Sequence, residues 1–123
     1  MWTLQRLWGE ARTTQVMIRR HYRGGRNFGC VVGVDLMTSE GEQDLYDYLD
    51  KARPFVCVMA PQCTGLAGWA NYNQKMALEA HRRSAAVSLH LGRVCGNCAL
   101  MQLERKLHFF TEQPADSDLY QTR

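Results

Sequence analysis

The chain has few of the features that mark membrane, secreted or strongly charged proteins. Its 123 residues carry a formal charge of only +3, which is too small to indicate a nucleic-acid surface by itself. No apolar run approaches the roughly 18 residues of a membrane span. The amino terminus also lacks an apolar signal core followed by a small-residue cleavage site. We therefore expect an intracellular protein, cytoplasmic or nuclear, with no membrane partner.

A disulfide framework and histidines spaced as metal ligands are also lacking. The five cysteines are odd in number and lie mostly in apolar surroundings, which favours reduced thiols over a disulfide framework. The four histidines are not spaced as metal ligands, so we predict no metal site. The cysteines are Cys30, Cys57, Cys63, Cys95 and Cys98.

The composition is that of an ordinary globular protein, with 46% hydrophobic and 22% charged residues. Its length fits one domain with one modest core. We predict a single α/β domain over residues 1–114, followed by a polar tail over 115–123 that frays.

The domain is organised around an apolar run that ends in a proline and is followed by a cysteine. Residues 55–60 are apolar without alternation, which is typical of a strand covered on both faces in a parallel sheet. Pro61 cannot donate to a strand ladder, so it ends the strand and leaves Cys63 in the loop at the carboxyl edge. Ligands bind at that edge in open α/β sheets, which makes Cys63 the leading candidate for chemistry.

Strand and helix patterns alternate along the rest of the chain, which predicts an α/β fold with a largely parallel sheet. Asp35 lies at the carboxyl end of the second predicted strand, and Glu112 follows the last one. The third helical segment contains Gly92 and Gly96, so we expect either two helices or one irregular helix. The predicted strands cover 1–8, 28–36, 55–60 and 107–111, and the predicted helices cover 10–22, 38–53 and 75–105.

Two strand ends carry motifs that resemble the catalytic core of the cytosine-5 DNA methyltransferases. The segment Pro61-Gln62-Cys63 is similar to the Pro-Cys segment that supplies the nucleophile in that family, and Glu112-Gln113-Pro114 is similar to its Glu-Asn-Val or Glu-Asn-Pro segment. More narrowly, the chain looks like methyltransferase-like segments in retrotransposon polyproteins of protists such as dinoflagellates. That likeness spans residues 8–114 and depends on four motifs in order: Gly-Glu-Ala-Arg-Thr-Thr, Gly-Val-Asp-Leu, Met-Ala-Pro-Gln-Cys-Thr and Phe-Phe-Thr-Glu-Gln-Pro.

The resemblance implies a three-layer, Rossmann-like fold and a catalytic pair. Cys63 would be the nucleophile, attacking as a thiolate the ring carbon next to the one that is methylated. Glu112 would hold or protonate the ring nitrogen, which neutralises the charge that builds up during attack. DNA would be the substrate, with the target base flipped out of the duplex.

The resemblance also implies S-adenosylmethionine as cofactor. Gly9 and Glu10 lie where the family has its cofactor loop, and Asp35 lies where an acidic residue binds the ribose. Pro61 completes the set of implied cofactor contacts. The chain departs from the family at Gln62, which interrupts the Pro-Cys dipeptide, and in having a single glycine in the loop. We therefore expect a degenerate or partial domain with a truncated sheet, and whether this chain alone transfers a methyl group stays open.

Two alternatives from other classes remain open. Cys95-Gly-Asn-Cys98 has the spacing of a thiol-redox pair, although such a motif should follow a strand and open a helix. The chain could also be a non-enzymatic fragment derived from a mobile element, which binds a partner, self-associates or belongs to a larger polyprotein. In the simplest interpretation Cys63 is a packing thiol, and Glu112 and Asp35 are solvated carboxylates in turns.

Overall fold

The computed structural model describes residues 3–7, 12–29, 32–61 and 78–113 of the chain. Within these ranges strands and helices alternate, as expected for an α/β protein, and no described helix is both long and apolar enough to cross a membrane. The elements are β1 (Thr3–Leu7), α1 (Arg12–Arg19), β2 (Arg23–Gly24), α2 (Ser39–Ala52), β3 (Val56–Met59), α3 (Leu78–Glu104) and β4 (His108–Thr111).

The strands form one sheet in the order β2-β1-β3-β4, and every neighbouring pair is parallel. Leu7 pairs with Met59, and Met59 pairs with Thr111, so three strands end at the same level. Because all four strands run in one direction, their carboxyl ends form one edge of the sheet and their amino ends form the other. The predicted parallel α/β architecture is confirmed at this level.

Helix α2 is supported by local features of its sequence, namely a capping residue and an apolar face. Thr38 caps its start, with the side-chain Oγ1 accepting a hydrogen bond from the backbone N–H of Gly41 at 3.1 Å. Leu45 and Leu49, four residues apart, are fully buried and give the helix its apolar face. The helix ends at Ala52, with Arg53 as its carboxyl cap, so the predicted helix over 38–53 is confirmed.

The core lies between α2, α3 and one face of the sheet. Along β3, Cys57 and Met59 are buried whereas Val56 and Val58 are half-buried, so this strand is fully covered on one face only. Strand β3 was predicted to be buried on both faces. This prediction is correct for one face, and the other face is half-buried. The buried hydrophobic residues are Phe28, Leu36, Leu45, Leu49, Cys57, Met59, Leu91, Val94, Cys95 and Cys98.

The predicted strand over 28–36 is wrong. The described residues of this range form a loop in which Phe28 and Leu36 are buried anchors. Gly29 and Gly33 adopt φ values of 140° and 82°, which an extended run of L-residues does not tolerate. The second strand is instead β2, which directly follows the predicted helix over 10–22.

Helix α3 is a single helix, so Gly92 and Gly96 do not divide it into two. Its buried residues recur at helical spacing over its carboxyl-terminal part, whereas most residues of its first third are exposed or half-buried. Each interior glycine costs about 1 kcal/mol relative to alanine. Burial of the apolar stripe formed by Leu91, Val94 and Cys98 outweighs that cost.

Each of the three helices in the described ranges is followed within two residues by a basic residue in the left-handed backbone region, where glycine is the usual residue. The φ values are 63° at His21 after α1, 46° at Arg53 after α2 and 58° at Lys106 after α3. After α3, the N–H of Leu107 donates to the carbonyl of Gln102 at 2.8 Å, closing the last turn. These turns lead directly into β2, β3 and β4 at the amino edge of the sheet.

Candidate functional site

The segments that follow β3 and β4 run side by side at the carboxyl edge. The backbone N–H of Glu112 donates to the carbonyl of Met59 at 2.9 Å, which extends the ladder one residue past β4. The Gln113 side-chain amide then donates to the carbonyl of Pro61, which is buried. The two sequence motifs at these strand ends are therefore adjacent at Pro61 and Gln113.

Glu112 is exposed and directly follows β4, an edge strand of the described sheet. The register of β3 and β4, extended by one residue, sets it beside Ala60. Cys63, Gly9 and Glu10 lie outside the described residues. The described part of the candidate site is thus limited to Pro61, Glu112 and the loop that contains Asp35.

Asp35 does not end a strand, which corrects its predicted position. It lies in the loop before α2, eleven residues after the end of β2, because Gly29 and Gly33 turn the chain there. Its carboxylate Oδ1 accepts a hydrogen bond from the N–H of Met37 at 2.9 Å, and its carbonyl accepts one from Thr38 Oγ1 at 2.8 Å. Asp35 is exposed, and these bonds give it a role in starting α2.

The three described cysteines are core residues. Cys57, Cys95 and Cys98 are at most 4% exposed. Burial raises the pKa of the Cys57 and Cys95 thiols to about 12, and it also raises that of Cys98. Cys95 and Cys98 lie in the interior of α3 rather than at the start of a helix. Buried, protonated thiols in this position are poor nucleophiles, which is unfavourable for a redox pair.

A polar network joins α2 to α3 and was not predicted from the sequence. Tyr46 Oη donates to Glu42 Oε1 at 2.7 Å and accepts from Asn97 Nδ2 at 2.9 Å. His90 Nε2 lies 3.0 Å from the carbonyl of Leu36 and 3.8 Å from Glu42 Oε2. Burial, with a further contribution from Glu42, raises the pKa of Tyr46. The spacing of Glu42 and Tyr46 is a local signal, but their partners on α3 are not.

Metal ligation is not seen in the part of the chain that the structure describes, where no three His, Cys, Asp or Glu side chains are grouped to hold an ion. Comparisons with protein-family models, with curated proteins and with solved structures find no match for the chain.

Proposed function

We propose that the chain is a partial S-adenosylmethionine-binding domain of the cytosine-5 methyltransferase-like type, with cofactor binding retained and the catalytic apparatus incomplete. The observation that carries the proposal is the strand order β2-β1-β3-β4 in a parallel sheet. This order brings the segments after β1, β3 and β4 to one edge, and these segments contain three of the four motifs on which the resemblance depends.

The strand order also supports a specific position for the ligand. The chain passes from β1 to β2 on one side and then returns to β3 on the other, so the topological switch point lies between β1 and β3. Ligands of open α/β sheets bind outside the carboxyl ends at such a point. Right-handed crossovers would set α1 on the face opposite α2 and α3, which is the three-layer arrangement that the proposal requires.

The fit to the cofactor rests on the position of this switch point and on Pro61, which is buried and whose carbonyl accepts a hydrogen bond from Gln113 at the same edge. Asp35 fits the expected ribose contact less well, because its Oδ1 already accepts a hydrogen bond from Met37. S-adenosylmethionine, when bound, would supply an electrophilic methyl group. In the proposed site Cys63 would form the bond to the pyrimidine ring, and Glu112 would stabilise the charge on the ring nitrogen.

Thermal unfolding with and without excess S-adenosylhomocysteine tests the proposal. A ligand that binds only the native state at about 100 times its Kd adds roughly 2.7 kcal/mol, which raises the Tm of a domain of this size by several degrees. Gly9→Val should abolish the shift. Gly96→Ala, at an exposed helical position with open space around it, is the matched control and should retain it. A well-folded sample without any shift would refute cofactor binding.

The role of Asp35 needs a conservative variant because the residue also supports the start of α2. Asp35→Asn keeps an oxygen acceptor for the N–H of Met37 and removes the negative charge. If Asp35 contacts the ribose, Asp35→Asn should reduce the ligand-induced shift while the Tm of the free protein stays close to that of the wild type. An unchanged shift would limit Asp35 to its structural role.

A second candidate function is that of a non-enzymatic fragment that is covered by another chain. The observation that favours it is the exposure of β4, an edge strand on which Phe109 is 39% and Phe110 is 59% exposed. Exposed edges with large apolar side chains are typical of surfaces that pair with a partner. Light scattering should then show self-association that Phe110→Lys reduces. A monomeric wild type would count against this function.

A further inference from the structure

Basic residues collect where the three described helices end, at the amino edge of the sheet. We call these residues the helix-end surface. It contains six Lys and Arg residues and only two acids, Asp50 and Glu104. Six positive and two negative charges give a net charge of +4, which exceeds the +3 of the whole chain. The six cations are Arg19, Arg20, Lys51, Arg53, Arg105 and Lys106.

The topology brings these helix ends together. Each helix leads into its strand within four residues, and all the strands begin at the same edge. The ends of α2 and α3 are in direct contact, since the Arg105 guanidinium donates to the carbonyl of Leu49 at 3.0 Å and pairs with Asp50. With neighbouring strands about 4.8 Å apart, β2 and β4 are separated by roughly 14 Å.

Fold stability does not explain why two of these cations are present. Arg53 and Lys106 adopt positive φ, where glycine is the favoured residue. A cation near a helix carboxyl terminus stabilises the macrodipole, but Lys51 and Arg105 already serve that purpose for α2 and α3. Arg53 and Lys106 are both exposed, and neither forms an ion pair with the residues that the structure describes.

We propose that the helix-end surface binds the phosphate backbone of a nucleic acid without reading its sequence. Duplex DNA carries one charge per about 1.7 Å of its axis, so a length of roughly 14 Å presents about eight phosphates to the six cations. The opposite end of α2 carries the acids Glu40 and Glu42 in its first turn, which would repel the same polyanion. This charge separation orients the domain with its amino edge towards the nucleic acid and leaves the carboxyl edge accessible.

A double variant separates binding from folding. Arg53→Gly with Lys106→Gly removes two cations and supplies the residue that positive φ favours, so the Tm should be no lower than that of the wild type. Fluorescence anisotropy with a labelled 20-base-pair duplex measures affinity over a range of salt concentrations. The negative slope of log affinity against log salt should become shallower by about 1.8, which corresponds to roughly 60-fold weaker binding near 0.1 M salt when the two affinities are equal at 1 M.

The matched control is Arg83→Gln with Arg93→Gln, which changes the net charge equally on the exposed part of α3. At 1.5 Å per residue, Arg83 lies about 30 Å from the end of that helix. The control should bind the duplex almost as the wild type does. The proposal is overturned if the control loses as much affinity, if the wild type fails to bind at about 50 mM salt, or if it binds only vesicles that contain phosphatidylserine. The S-adenosylhomocysteine shift in the same variants reports on the opposite edge, so either proposal can fail without the other.

Discussion

The two edges of the parallel sheet are built from different chemical groups, although the same strands form both. At the carboxyl edge, backbone and amide groups join the chain segments, as at Pro61 and Gln113. At the amino edge the helices end on cationic residues, and the buried Gln102 amide donates to the carbonyls of Pro54 and His108 at 2.9 and 2.8 Å. In a parallel α/β unit the helix amino termini approach one edge and the carboxyl termini the other, so the two edges differ in electrostatic potential.

The largest expected effect is at the amino edge. Gln102→Ala should destabilise the protein by about 4 kcal/mol, because it leaves a cavity and removes the donor for two carbonyls at the starts of β3 and β4. Gln102→Met fills the volume without donating, so it should lose only about 2 kcal/mol. Urea unfolding measures both. Equal stability of Gln102→Met and the wild type would show that the amide does not hold this edge together.

The matching test near the carboxyl edge is Gly41→Ala. A Cβ at residue 41 would clash with the carbonyl oxygen of Asp35, so the loop before α2 must shift, at a cost of about 3 kcal/mol. Gly96→Ala in open space on α3 should instead stabilise the protein by about 1 kcal/mol. Thermal unfolding of both variants compares a required glycine with a dispensable one. Similar Tm changes would contradict the close approach at Gly41.

The buried thiols between the two edges can be tested by measuring stability as a function of pH. Burial raises the pKa of Cys57 and Cys95 from 9.0 to about 12, so these thiols bind their protons more tightly in the folded chain. The stability that they contribute is complete below pH 9 and is lost as the pH rises towards 12. The free energy of unfolding should fall by up to about 1.4 kcal/mol per pH unit for each thiol. In Cys57→Ala the slope between pH 9 and pH 11 should be smaller, and an unchanged slope would contradict the assignment.

The smallest effect is expected for a single change at a helix end. Lys106→Gly should raise the free energy of unfolding by about 0.5 to 1 kcal/mol, because glycine adopts a φ of 58° without a steric penalty. Lys106→Ala, which keeps a Cβ at positive φ, should show no such gain. Chemical denaturation resolves the difference. If both variants are destabilised equally, the lysine side chain contributes more to the fold than the backbone conformation implies.

Local signals made the central elements predictable. Thr38 and the apolar spacing of Leu45 and Leu49 are sufficient to predict α2, and the apolar run before Pro61 predicts β3. Strand β2 was missed because its two residues have little strand propensity and form a strand only by pairing with β1.

Non-local contacts explain why the other sequence-based predictions were wrong or incomplete. The valines around residue 32 have strand propensity, but two glycines at positive φ and the burial of Phe28 turn the segment into a loop. Gln102 and its partner Pro54 are 48 residues apart, so no sequence pattern could pair them. Within the candidate site, the adjacency of the segments after β3 and β4 follows from parallel topology, whereas the hydrogen bonds of Asp35 to its own loop do not.

Helix α3 is much longer than the strands against which it packs. At 1.5 Å per residue its 27 residues span about 40 Å, whereas the four residues of β3 span about 13 Å. Because α3 ends at the amino edge, its first third projects beyond the carboxyl edge, in agreement with the exposure of residues 78–80. The buried residues of the helix begin at Ser88, so the sheet anchors α3 through its carboxyl-terminal part while residues 78–80 stay exposed.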